Sequence, residues 1–135
     1  MVNSRLAVAI HILSLIASNP REQVSSEVIA GSVNTNPVVI RRMISLLKKA
    51  DILTSRPGVA GARLKRDPED ISLLDIYRAV QSQEELFAIH EKPNPDCPVG
   101  KRIQSTLDET FYSVQQAMEN ELASKSLKDI LFHLL

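Results

Sequence analysis

One segment restricts this chain more than any other, the run from Asn36 to Ala50. Ile40, Met43, Ile44 and Leu47 recur at i, i+3, i+4 and i+7, while Val38, Arg41, Arg42, Ser45, Lys48 and Lys49 form the opposite stripe. Asn36 before Pro37 is a helix start, because Asn caps the first turn and Pro fits the first helical position. The segment therefore predicts a helix to about Ala50 with one face on a core and four cations on the other. Just upstream, Ser25 can cap a short helix through Ile29 and Ala30, with Glu27 set against the positive end of the helix dipole. Gly31 is expected to give that helix a tight exit. The short gap between the two helices is the length of a helix-turn-helix.

The next segment extends the same surface. After Ile52 and Leu53, the stretch Ser55 to Arg66 has two short runs flanking a Pro/Gly turn, which predicts a β-hairpin. It carries Arg56, Arg63, Lys65 and Arg66, and so short a hairpin must lean on a helical core. A basic hairpin directly after a basic helix is the wing of a winged helix. Asp67-Pro68 closes it, and Ser72 with Asp75 forms a capping box for a helix reaching about Gln81, with a staple from Ile71 to Ile76.

The flanks complete the outline. Leu6 to Ala17 is apolar on all sides, which predicts a helix buried on two sides, ended by Asn19-Pro20. It is interrupted by His11 and Ser14 and is too short to cross a bilayer. Lys92 to Pro98 is a proline-rich loop. From Val99, Ile103, Leu107, Phe111, Val114, Met118 and Leu122 recur at helical spacing. A helix of about 35 Å is long for so small a domain, and a second copy of the chain is the simplest cover for its stripe. A short helix follows from Ser126. The expected fold is mainly α: a winged helix-turn-helix domain over residues 1–81, a connecting region over 82–98, and a dimerisation helix with a last short helix over 99–135.

Charge and composition separate the remaining function classes. Lys and Arg balance Asp and Glu at 16 each, yet the signs are segregated. Residues 36–66 hold eight cations against Asp51, a sum of +7, whereas residues 67–98 hold eight carboxylates against Arg78 and Lys92, a sum of −6. Such asymmetry points to one polyanion-binding face, although a dipolar solvated surface would read the same way. No signal segment or membrane span is expected, so the protein is placed in the cytoplasm. One cysteine, Cys97, excludes an internal disulfide and a thiolate zinc site. His11, His90 and His133 share no metal spacing, and neither a phosphate cradle nor a nucleophile elbow is present. An enzyme is not expected, nor is a metal or cofactor.

In order, these elements resemble the winged-helix regulators that include the iron–sulfur cluster regulator IscR, the nitric-oxide sensor NsrR and the cysteine-metabolism repressor CymR. The resemblance rests on Leu46 to Val80: Leu-Lys-Lys-Ala into Leu53-Thr54-Ser55, then Gly58-x-x-Gly61, Asp67-Pro68-Glu69-Asp70-Ile71, and Asp75-Ile76 to Ala79-Val80. It implies a bacterial transcription regulator. The family's wing usually reads Arg-Gly-x-x-Gly-Gly-aromatic, but here those positions hold Pro57, Ala62 and Arg63, which shifts the expected contacts onto Arg56 and Arg63. Cluster-holding members carry three cysteines in the loop and the start of the long helix, where this chain has Cys97 alone. The cluster is therefore not expected, and Cys97 is either an inert loop residue or a redox sensor.

Two functional readings follow. In the first, the chain represses transcription as a homodimer on a pseudo-palindromic double-stranded operator, with an effector of unassigned chemistry. The third helix lies in the major groove and the wing on the backbone or minor groove. The contacts are assigned to Ser25, Asn36, Val38, Arg41, Arg42, Ser45, Lys48, Lys49, Arg56, Arg63, Lys65 and Arg66. Arg41 and Arg42 read bases, and Lys48, Lys49, Lys65 and Arg66 bind phosphates. In the second, it is a winged-helix adaptor that binds a protein.

Overall fold

The computed structural model describes residues 4–21, 24–58, 61–81 and 92–134. Among these residues six helices and one hairpin follow in the order α1 (Arg5–Ser18), α2 (Ser26–Val33), α3 (Pro37–Lys49), β1 (Leu53–Thr54), β2 (Arg63–Leu64), a 3-10 turn (Pro68–Asp70), α4 (Leu73–Val80), α5 (Pro98–Ala123) and α6 (Leu127–Leu134). The fold is mainly helical, with a winged helix-turn-helix at its centre. The wing tip at 59–60 and most of the connecting region, 82–91, lie outside the described residues.

Local chemistry explains most boundaries. The Ser25 hydroxyl accepts from the Val28 N–H, and the Asn36 side chain accepts from the Val38 N–H at 2.8 Å, with Pro37 at the first helical position. Ser72 and Asp75 form the reciprocal capping box at 3.1 and 3.0 Å. The staple residues Ile71 and Ile76 are both fully buried. The exit of α2 differs from expectation. Gly31 lies inside the helix, which runs on to Val33, and Asn34 takes the left-handed conformation at φ 62°. Asn tolerates that region because its short polar side chain bonds locally, so no glycine is required there.

The wing is also shorter and earlier than the sequence suggests. Its strands pair antiparallel with Leu53 opposite Leu64 and Thr54 opposite Arg63, which places the first strand before Ser55. Leu53 is buried, so its strand is chosen by the core. Gly58 and Gly61 have φ of 76° and 87°, and these positive angles let the chain turn between the strands.

The core gathers α1 to α4 and the start of α6. Ile12, Leu13, Ile29, Ile40, Leu47, Ile52, Ile71, Ile76 and Leu127 are all fully buried in one cluster. Ser14, also buried on α1, donates to the Ile10 carbonyl at 2.7 Å, which satisfies its hydroxyl. α6 reaches this core through a short backbone seam. The Leu73 N–H donates to the Lys125 carbonyl, and the Leu127 N–H to the Ile71 carbonyl.

α5 stands apart. At 26 residues it is about 39 Å long, and none of its residues is buried within the chain. It lies against α4, where Glu119 pairs with Arg78 at 3.3 Å, while Val114 and Tyr112 are exposed. No described helix is long and apolar enough to cross a membrane.

Candidate nucleic-acid interface

α3 divides its residues as its pattern requires. Ile40, Met43 and Leu47 are buried, whereas Val38, Arg41, Arg42, Ser45, Lys48 and Lys49 are exposed. Arg56 and Arg63 of the wing are exposed as well. The start of α2, the outer face of α3 and the wing border a common cleft of about 430 Å³, lined in part by Ser25, Arg41, Ser45, Lys48 and Ser55.

The candidate residues are not equally available. Arg42, Lys48, Lys49, Arg56 and Arg63 form no ion pair among the described residues. Arg41 is paired with Glu27 across the helix-turn-helix. Lys65 donates to Asp51 at 2.9 Å, which holds the Asp51 carboxyl below its ordinary value. Arg66 is half-buried and donates to the Asp75 carboxylate and the Asp70 carbonyl, each at 3.4 Å. It thus ties the end of the wing to the cap of α4. Asn36 uses its side-chain oxygen to cap α3, and Ser25 uses its hydroxyl on α2.

Glu27 is the residue whose place in the cleft was missed. Its position in the first turn of α2 was legible as a dipole partner. That it faces Arg41 depends on how α2 crosses α3, for which no local pattern exists.

Cys97 caps the start of α5 and is exposed. The backbone N–H groups of Gly100 and then Val99 at the start of the helix favour its thiolate and hold the thiol below its ordinary value. Gly100 is needed there for space, since a Cβ at that position would lie 2.3 Å from the Asn94 carbonyl oxygen.

Comparison with known proteins joins this geometry to a lineage. A family model described as Rrf2, iron-dependent transcriptional regulator, matches residues 2–133. This chain belongs to the Rrf2 family. It is 78% identical over 134 residues, 99% of each chain, to YwnA of Bacillus subtilis (strain 168), which is named as an HTH-type transcriptional regulator. A crystal structure described as that of a DNA-binding protein is 71% identical, with a TM-score of 0.80 over 95% of this chain and 99% of the other. CymR, the global cysteine regulator of B. subtilis, shares the fold at 21% identity, with a TM-score of 0.69 over 97% of this chain and 95% of its own. The chain is thus a transcriptional regulator of the Rrf2 family and not an enzyme.

The iron named in the Rrf2 description can be tested against the donors of this chain. Its one cysteine is too few for a cluster, which takes several thiolates. Among the described residues the one group of candidate ligands is Asp67, Glu69 and Asp70, all exposed, without sulfur or imidazole, and with Glu69 3.5 Å from Lys128. These residues do not fit an iron–sulfur cluster.

Proposed function

We propose that this Rrf2 protein binds double-stranded DNA in the cytoplasm as a homodimer and represses transcription from a pseudo-palindromic operator. One observation carries the reading. The anchored helix α3 presents Val38, Arg41, Arg42, Ser45, Lys48 and Lys49 to solvent beside a wing carrying exposed Arg56 and Arg63. A helix held on a core by one stripe, with forked donors near its start and cations near its end, suits a major groove. The wing arginines then lie toward the backbone or the minor groove. Lys65 and Arg66 contribute to the local field while bound to Asp51 and Asp75.

Two-fold symmetry is supported by α5. Ile103, Leu107, Phe111, Val114, Met118 and Leu122 are half-buried or exposed in the protomer. A second α5 would cover most of them, and the two α3 helices would then meet successive major grooves, a helical turn of about 34–36 Å apart or a multiple of it. A gel-shift on fragmented genomic DNA joined to sedimentation of the same protein tests this. Retention of discrete fragments by a dimer is expected, with Leu107→Glu and Val114→Glu sedimenting as monomers and losing the shift. A wild type that is monomeric at micromolar concentration, or that retains no fragment, overturns the reading.

A further inference from the structure

The cleft between α2, α3 and the wing contains a carboxylate where a polyanion is expected. Glu27 accepts a hydrogen bond from Nη2 of Arg41 at 2.5 Å, and both side chains are more than half exposed. An exposed ion pair contributes little to folding. A negative charge beside a DNA-binding helix also repels phosphates, and the place of Glu27 in the first turn of α2 accounts for its carboxylate but not for its pairing with Arg41.

The pair changes what Arg41 can bind. A guanidinium has five N–H donors in a rigid fork, and the recorded bond engages Nη2. A phosphate competing for Arg41 must approach against the Glu27 charge. A guanine edge offers the neutral acceptors O6 and N7 and meets no such repulsion. Docking also excludes water, and the lower effective dielectric strengthens the contact between Glu27 and Arg41.

Resting on the DNA-binding reading above, we propose that Glu27 is a specificity-determining positioning residue: it withholds Arg41 from phosphates and aims it at a guanine in each half-site. Glu27 acts through Arg41 and need not touch DNA itself. Sequence-independent binding then falls to Lys48, Lys49 and the wing, and Arg41 is reserved for reading.

The test is selection of duplexes from a pool with a randomised core by the full-length wild type, Glu27→Gln, Arg41→Ala and the double variant. Binding to a random duplex is measured in parallel over a range of salt. Arg41→Ala is expected to lose one guanine preference per half-site. Glu27→Gln is expected to weaken that same preference and no other, and to steepen the log–log salt dependence on random duplex by about 0.9 per protomer, one added phosphate contact. The double variant should match Arg41→Ala. A role of Glu27 confined to the α2 dipole would lower the melting temperature and weaken every position together. If wild type selects sequences and Glu27→Gln selects the same ones with the same salt slope, the proposal is overturned and the DNA-binding reading stands. An effect of Glu27→Gln that persists without Arg41 also overturns it. A wild type that enriches no sequence removes the reading and the proposal together.

Discussion

Lys65, directly after β2, reaches Asp51 at the exit of α3, Nζ to Oδ1 at 2.9 Å, and so joins the wing to the end of that helix. Asp51 itself takes the left-handed conformation, at φ 61°. The pair is exposed, so its effect is sought in titration and binding, not in stability.

Asp51 should titrate below 3.8, its ordinary value, because the Lys65 ammonium donates to and attracts the carboxylate. A folded-state pKa that is depressed gives a contribution present above the unfolded value and lost as pH falls through the folded one. The pair therefore persists throughout the neutral range. Carboxyl-carbon NMR is expected to show the low midpoint, returning upward in Lys65→Ala. Asp51→Asn should release Lys65 and steepen the salt dependence on any duplex by up to about 0.9 per protomer. An unchanged slope would show that Lys65 lies off the DNA path.

On α3 the two ends should separate. Arg42→Ala is expected to weaken binding to the preferred sequence by about 1–3 kcal/mol and to relax one position. Lys48→Ala and Lys49→Ala should weaken preferred and random duplexes alike, each reducing the salt slope by about 0.9 per protomer. Anisotropy titrations with both duplexes at several salt concentrations make the comparison. Equal effects of all three substitutions on both duplexes would remove base reading from the start of α3.

Leu127 ties α6 into the core, fully buried beside the seam to Ile71. Leu127→Ala should cost about 2–5 kcal/mol from lost burial and the cavity left behind. Chemical denaturation at fixed protein concentration measures it. Phe132→Ala, at an exposed position, should cost far less. Comparable losses would mean that α6 is held by its outer face.

Cys97 should alkylate at a lower pH midpoint than the ordinary 9.0, because the Gly100 and Val99 N–H groups favour its thiolate. The midpoint should move up again in denaturant. Protein prepared without oxygen should lack stoichiometric iron, since the donors do not fit a cluster. Metal analysis with a visible spectrum tests that, and a cluster spectrum would refute it. Comparing DNA binding by wild type and Cys97→Ser after mild peroxide separates a sensor from an inert loop residue.

Local signals carried most of the outline. Asn36-Pro37 and the pairing of Ser72 with Asp75 declare helix starts through side chains that bond their own backbone, and such chemistry is readable without a fold. The two stripes of α3 were equally legible. The sequence pointed to Gly31 for the exit of α2, where Asn34 provides it, because two residue types can occupy the left-handed region. Distant partners were not legible. Nothing near Arg41 names Glu27, nothing near Lys65 names Asp51, and the burial of Leu127 against Ile71 depends on how α5 brings the chain back. The cations could therefore be counted from composition, while the share of them already engaged by the protein's own carboxylates required the packed structure.

The seam between Ile71 and Leu127 also sets an order of events during synthesis. Chains are made from the N-terminus and domains fold as units when their residues become available. The core laid down by α1 to α4 stays open along one side until residue 127 has emerged, and by then α5 has been made in full. Closing that long loop carries an entropic cost that the local contacts of α1 to α4 do not. The body that carries the basic face of α3 and the wing is thus completed only after α5 exists. A chain stalled before α6 carries the whole basic helix on an unfinished body, exposed to proteolysis and to aggregation.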